Sequence, residues 1–407
     1  MRIKVGVIFG GETVEHEVSI ISAIQAMNKI DEKKYEVIPI YITKDREWYT
    51  GDMLKDIEVY QDFSLIKKYS DNVVLYYKDG SYVLQKKHGL FKSVVKELDI
   101  AFPIVHGTNV EDGVLQGYLQ TIGIPYVGPN VYAAVVGQDK AFMKDVWASA
   151  NLPIKNYVWF YDNDYRQDPE EVIKKVSKLK YPVIVKPATT GSSVGINVCD
   201  DESSLKEAID EAVQYDSKIV VEEVVEDLKE VNIAVMGNYE HQKVSEIEEV
   251  LSCNKFLTYT DKYIGGGKTK GKLKKPVKGA SKGMASASRK LPADLDDDVR
   301  KEVERVAKEA FKVLGSSGNS RIDFLIDRKD NKVYLNEINS IPGSLAFYLW
   351  DAKDINFTKV LDDMINIGIK DYKKRVSKTH SFETNILAGF ASNGGLKGAK
   401  GVKGKLR

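Results

Sequence analysis

The sequence predicts an α/β protein of more than one domain, and three observations carry that reading. Apolar runs of strand length alternate with amphipathic stretches of helical period in the first third of the chain, as in an open parallel sheet flanked by helices. From about Asp139 the pattern changes, and it ends in a hairpin near residues 321–339. A chain of 407 residues, 43% hydrophobic and 29% charged, also suits two or three cores of ordinary size.

Taken in order, "IKVGVIF" at 3–9 is a strand that stops at Gly10-Gly11, and an amphipathic helix follows from about Glu15 to Ile30. "YEVIPIYIT" at 35–43 and "LDIAFPIVHG" at 98–107 are further strands. Between them "DNVVLYYKDGSYVLQKK" reads as a hairpin insertion turning at Asp79-Gly80. A helix "DKAFMKDVWASA", a helix from about Pro169 to Lys178, the strand "YPVIVKP" and the loop "ATTGSSVG" make up a central region. The last region holds "KIVVEEVV", "VNIAVMG", a basic loop at 262–290, a helix from about Asp294 to Leu314, and the closing hairpin. The expected boundaries are 1–139, 140–221 and 222–375, with a lid loop at 252–290. The Gly- and Lys-rich stretch 376–407 has little to bury and reads as a flexible basic tail.

Composition excludes several classes. Sixty basic residues against 59 acidic ones leave a net charge of +1, so no global field recruits nucleic acid or an anionic membrane. Cys199 and Cys253 are far apart and outside any C-x-x-C spacing, which argues against a disulfide framework or a zinc site and fits a reducing cytoplasm. No apolar run approaches membrane-spanning length, so a soluble, cytoplasmic protein is expected.

The hairpin carries the first chemistry. In "KVYLNEINSIPG", period-two alternation puts Val333, Leu335, Glu337 and Asn339 on one face. Arg321 and Asp323 share a face upstream, and hairpin pairing brings Asp323 near Glu337. Two carboxylates and an amide oxygen are hard ligands of the kind Mg²⁺ takes alongside substrate phosphates. Solvated strand ends, with Arg321 neutralising Asp323, are the alternative. "VKPATTGSSVG" at 185–195 joins flexible glycines and hydroxyls to Lys186 at the end of a buried strand, which fits a phosphate cradle; a plain Gly-Ser turn explains the glycines but not the lysine. Seven lysines between Lys268 and Lys282, with no acidic residue among them, suit a mobile cationic lid or else a nucleic-acid-binding loop. "VGVIFGGETVEHE" lacks a dinucleotide fingerprint, and "YIGGGKT" lacks the first glycine of a Walker loop.

The order of motifs resembles the D-alanine:D-alanine ligase family of the ATP-grasp superfamily. It rests on "FGGETVEHEVSIISA" (9–23), "HGTNVEDGVLQGYLQTIGIPYVGP" (106–129), "QDKAFMK" (138–144), "KPATTGSSVG" (186–195), "RIDF" (321–324) and "NEINSIPG" (336–343), and covers about residues 1–375. The resemblance implies an ATP-grasp fold of three domains, an N-terminal open parallel sheet and two α+β domains that clamp ATP. It implies that one D-alanine is phosphorylated by ATP and the acyl phosphate is attacked by the amine of a second, for peptidoglycan precursors.

It also implies the site residues. Asp323, Glu337 and Asn339 would hold two Mg²⁺ ions, with Mn²⁺ a possible substitute. Lys140, Lys186 and Ser193 would contact ATP phosphates, and Glu222 and Glu230 the adenosine. Arg321 and the Gly343 amide would stabilise the oxyanion. Glu15, Ser192 and Tyr263 would hold the first substrate, with His106 in its pocket, and a homodimer is expected. Three positions depart from the family pattern: Val110 replaces a glycine, Thr190 a glutamate, and Tyr348 the serine that grips the second substrate's carboxylate. The third leaves open an ATP-grasp ligase that joins a different amino acid or small peptide acceptor. A non-catalytic, nucleic-acid-associated protein is the reading from another class.

Overall fold

The computed structural model describes residues 2–89, 93–191, 194–251 and 288–382. Three sheets organise it. The first contains β1 (Ile3–Gly10), β2 (Tyr35–Ile42), β3 (Trp48–Thr50), β4 (Asp71–Lys78), β5 (Ser81–Lys86), β6 (Val94–Leu98) and β7 (Ile100–Pro103), in the order β6-β5-β4-β3-β2-β1-β7. Only β2, β1 and β7 are parallel neighbours; β3 to β6 extend the sheet antiparallel. The expected open parallel sheet is therefore a mixed one. Chain length between strands is the reason. The helix His16–Met27 gives β1 and β2 the crossover that parallel pairing needs, whereas β2 and β3 are joined too closely for one. Asp79 and Gly80, at φ 50° and 89°, make the two-residue turn anticipated between β4 and β5.

The second sheet, β8 (Tyr157–Tyr161), β9 (Val183–Pro187), β10 (Asn197–Cys199) and β11 (Lys218–Glu223), is antiparallel in the order β10-β9-β11-β8. Helices Pro169–Val176 and Glu202–Ala212 pack Val172, Val176, Leu205 and Ile209 against Val183, Val185 and Val221.

The third sheet is β12 (Leu228–Gly237), β13 (Gln242–Leu251), β14 (Ser288–Lys290), β15 (Gly318–Asp327) and β16 (Lys332–Asn339), ordered β14-β13-β12-β15-β16. The helix Asp297–Val313 buries Val303, Val306, Ala307, Ala310 and Phe311, the three-and-four spacing of one helical face. Met143 and Trp147, from the helix Lys140–Ser149, complete the same core. Trp147 is fully buried and its indole N–H donates to the Ala310 carbonyl at 3.3 Å.

One register shift decides what the closing hairpin can do. Asp323 pairs with Glu337 but Phe324 pairs with Leu335, so Asn336 is an extra residue in β16. Ile322, Phe324, Val333, Leu335 and Ile338 all enter the core. The bulge corrects the alternation read from the sequence: Val333 and Leu335 lie on the apolar face, while Glu337 and Asn339 lie on the opposite one with Arg321 and Asp323.

Residues Met1–Ile369 form one compact unit. Within it Val360, Leu361, Met364 and Ile365, from the helix Phe357–Val376, join the core of the first sheet. A second unit begins at Lys370, and its described part runs to Phe382. Most of the expected lid, 252–287, and the tail from 383 onward lie outside the described residues. Among the described residues no helix is long and apolar enough to cross a membrane.

Trp147→Ala should cost about 3–5 kcal/mol by leaving a cavity beneath the third sheet. A urea midpoint unchanged from the parent protein would show that the helix Lys140–Ser149 adds nothing to that core.

Candidate active site

Four polar side chains share the cleft-facing surface of the third sheet. Glu248, Asn232, Asp323 and Glu337 are register partners across β13, β12, β15 and β16. Arg321 grips Asp323 through both carboxylate oxygens, Nε to Oδ1 at 2.7 Å and Nη2 to Oδ2 at 2.7 Å. Asn339 Nδ2 donates to Asp323 Oδ2 at 3.2 Å. Burial opposes the Arg321 charge, but Asp323 outweighs it and keeps the guanidinium protonated well above its ordinary range. The hairpin thus gathers Arg321, Asp323, Glu337 and Asn339 as the sequence predicts.

The central sheet contributes a buried charge cluster. Glu222, at the end of β11, lies 3.1 Å from Lys144 Nζ and 3.2 Å from Lys186 Nζ. Burial opposes its ionisation, yet the two lysines hold the carboxyl down to about 2. Lys144 is pulled below its usual range by burial and, to a lesser extent, by the like charge of Lys186, against the pull of Glu222. Two lysines thus share one carboxylate in a nearly closed site, and the Glu337 carboxylate also acts on Lys144. Lys186 Nζ also donates to Asn336 Oδ1 at 3.2 Å, so the bulge residue ties the third sheet to the cluster.

Lys140 reaches the Gly-Ser loop, where its Nζ donates to the Thr190 carbonyl at 3.0 Å. Its helix is fixed by Asp139, whose Oδ1 caps the Ala141 and Phe142 amides at 2.9 and 3.1 Å. Lys218, buried beneath the Phe142 ring at 3.3 Å from its centroid, pairs with Asp139 in turn. Glu230 lies half-buried on β12, opposite Leu325 and Val250.

The first sheet brings Glu15 and His106 to the same cleft. Glu15 stands at the start of the helix His16–Met27, where the positive end of a helix favours a carboxylate. A Cβ on Gly191 would lie 3.1 Å from Glu15 Oε2, and one on Gly107 also 3.1 Å from it, so both loops need their glycines to approach this carboxylate. His106 Nε2 lies 3.1 Å from Ser22 Oγ, and burial lowers the imidazole pKa. Ser22 Oγ accepts from the Ser344 amide at 2.8 Å, next to Gly343. That segment is unusual. Ser344, Leu345 and Ala346 are all left-handed, at φ 51°, 50° and 46°, a conformation costing about 1–2 kcal/mol per residue. Burial of all three residues and a 2.7 Å bond from Asn319 Nδ2 to the Leu345 carbonyl hold it. Tyr348 follows, its hydroxyl donating to Glu248 Oε1 at 2.6 Å.

Ser192, Ser193 and Tyr263 lie outside the described residues. Sequence reasoning missed Lys144, Asn336 and Glu111. Lys144 stands one helical turn after Lys140 in "DKAFMK", a spacing that signals a shared face. Asn336 gave no signal, because alternation hides a bulge. Glu111 is a buried acid in "NVEDG", and it accepts from the Gly107 amide at 3.0 Å, Ser340 Oγ at 2.9 Å and the Ile341 amide at 3.0 Å. Burial outweighs these donors and pushes its carboxyl up to about 7.

Two outcomes follow. Glu222→Gln strips the carboxylate from two buried lysines and should destabilise the protein by about 3–5 kcal/mol in urea unfolding; an unchanged midpoint would contradict the charge cluster. Glu111 binds its proton more tightly folded than unfolded, so its stabilisation is full below about pH 4.5 and is lost as the pH rises to about 7. Urea midpoints of wild type and Glu111→Gln compared across that window should show the wild type alone losing this component.

Comparison with known proteins agrees with this geometry along nearly the whole chain. Residues 4–129 match the family model described as D-ala D-ala ligase N-terminus, and residues 146–366 the one described as D-ala D-ala ligase C-terminus. A D-alanine–D-alanine ligase of Thermosipho africanus (strain TCF52B) is 38% identical over 386 residues, covering 95% of this chain and 98% of the relative. Among solved structures, the D-alanine-D-alanine ligase from Coxiella burnetii superposes with a TM-score of 0.75 at 26% identity, covering 96% of this chain and 99% of that one. The VanG D-Ala:D-Ser ligase from Enterococcus faecalis gives 0.74 at 28% identity, covering 90% and 100%. The ATP-grasp fold read from the motifs is the fold of these neighbours, and this chain belongs to the D-alanine–D-alanine ligase family.

Proposed function

We propose that this protein joins two D-alanines to D-alanyl-D-alanine at the expense of ATP, in the cytoplasm, to supply peptidoglycan precursors. The observation that carries the reading is the meeting of three groups of residues. A buried cluster of two lysines and a carboxylate, Lys144, Lys186 and Glu222, is tied through Asn336 to the strand that carries the carboxylate and amide row of the third sheet. The third is the Glu15 carboxylate, which the Gly191 and Gly107 loops approach closely and which would hold a substrate ammonium. The division of labour follows three domains, 1–139, 140–221 and 222–375, with the nucleotide between the second and third.

In this reading Lys140 and Lys186 neutralise the transferring phosphoryl group, and Glu222 with Glu230 receives the adenosine. Glu15 orients the first D-alanine beside the Gly191 loop. Arg321 and the Gly343 amide hold the negative oxygen that develops when the second amine attacks the acyl carbon. His106, held near neutral by burial, borders the first-substrate pocket.

The donor set fits Mg²⁺. Asp323 and Glu337 are register partners, and Asn339 lies within hydrogen-bond distance of Asp323. Each carboxylate oxygen has a second lone pair, so Asp323 accepts a cation without releasing Arg321. Substrate phosphates would supply the remaining oxygen ligands. Two ions held by Asp323, Glu337 and Asn339 would offset the charge on the phosphates.

A second reading keeps the chemistry and changes the acceptor. It is favoured by Tyr348, which stands in place of the family serine with its hydroxyl on Glu248.

Release of ADP from Mg²⁺-ATP with single and paired D- and L-amino acids, with mass analysis of the product, tests both readings. Turnover of D-alanine alone to the dipeptide supports the first, and turnover only in a mixed pair supports the second. Glu337→Gln should lower the rate at least a hundredfold while leaving thermal unfolding intact, and wild-type turnover in that variant would remove the metal assignment.

A further inference from the structure

The turn at residues 340–346 is held from two directions, and the division follows the polarity of its groups. Its carbonyls are held by the third sheet, where Ser320 Oγ donates to the Ser340 carbonyl at 3.2 Å and Asn319 Nδ2 to the Leu345 carbonyl at 2.7 Å. Its donors are held by the N-terminal region. Glu111 Oε1 accepts from Ser340 Oγ at 2.9 Å and from the Ile341 amide at 3.0 Å, and Ser22 Oγ accepts from the Ser344 amide at 2.8 Å.

Gly343 stands between these anchored amides. Pro342 has no N–H, and the Leu345 amide turns back to the Pro342 carbonyl at 2.7 Å. Among the described residues the Gly343 N–H meets no protein acceptor, so from Ile341 to Leu345 it is the donor left for a solute. Its direction is set by its neighbours, because the left-handed run that follows is one the chain does not keep unaided. A carboxylate suits this anchoring better than any other side chain of its size. Glu111 Oε2 already accepts from the Gly107 amide at 3.0 Å, so both oxygens take backbone N–H groups. A side-chain amide would have to turn its NH2 against one of them.

We propose that Glu111 is a positioning residue for the second chemical step: by binding Ser340 and the Ile341 amide it aims the Gly343 N–H, while Ser22 fixes the far side of the turn. This rests on the ligase reading, in which that N–H faces the oxygen that becomes negative as the amine attacks the acyl carbon, and it assigns what holds the donor there. Phosphoryl transfer draws on other residues, Lys140 and Lys186. The two steps therefore respond differently to loss of Glu111.

The test follows the first turnovers of the full-length enzyme with Mg²⁺-ATP and D-alanine, with acid-quenched ADP and dipeptide measured separately. Glu111→Gln should lower steady-state dipeptide formation at least tenfold and leave the KM for ATP within threefold. It should also acquire a burst of ADP, about one per active site, with no matching burst of dipeptide, because acyl phosphate forms and waits. Ser22→Ala removes the acceptor of the Ser344 amide and should show the same split by a smaller factor, which keeps the test open if Glu111→Gln does not fold. Unchanged dipeptide formation in both variants, or an equal fall of ADP and dipeptide with no burst, overturns the inference and leaves the ligase reading intact. A wild-type enzyme that releases no ADP with any D-amino acid pair overturns the ligase reading and the inference together.

Discussion

A β-hairpin between a hydrophobic core and a charged cleft has to keep two chemistries apart across one backbone. Strict alternation fails here, since it would direct Glu337 toward Phe324 and Leu335. The extra residue at Asn336 resolves the conflict by resetting the phase of β16 between Leu335 and Ile338. The apolar face stays continuous, and Arg321, Asp323, Glu337 and Asn339 collect on the other. Asn336 itself reaches Lys186, so the displaced residue also joins this sheet to the buried lysines. Bulges recur beside active sites for this reason: they re-aim side chains without breaking the ladder.

The same economy governs the buried charges. Lys144, Lys186 and Glu222 are nearly inaccessible, and one carboxylate there serves two lysines. Burying amines in such a place costs stability, and burial accordingly pulls Lys144 below its usual range. Lys218 and Asp139 form a different kind of pair, one carboxylate to one ammonium, capped by aromatic rings, and they hold the Lys140 helix in place. One pair fixes a helix, whereas the other cluster gathers two lysines around a single carboxylate.

How legible was this in the sequence? The strands, the Asp79-Gly80 turn, and the helices beginning near His16 and Pro169 follow local rules of period and turn chemistry, and they were read closely. Arg321, Asp323, Glu337 and Asn339 were legible as a group because hairpin pairing is short-range. The first sheet was read as parallel because apolar runs carry no direction; connection lengths decide it. Lys144 and Glu111 were opaque for another reason. Each becomes meaningful only through a partner far along the chain, Glu222 for one and Ser340 with Ile341 for the other.

The loop at Ser344–Ala346 shows what such distant partners entail during synthesis. Its left-handed backbone hangs on Ser22, 322 residues earlier, and the neighbouring Ile341 amide hangs on Glu111, 230 residues earlier. A ribosome delivers Ser22 and Glu111 long before it delivers the loop, so the receiving surface is available when Gly343 emerges. The first sheet then acts as a template for a piece of the catalytic cleft that its own segment cannot hold in shape. Vectorial synthesis and the geometry of the cleft therefore run in the same direction, and a chain permuted to begin after β7 would have to order this turn without its mould.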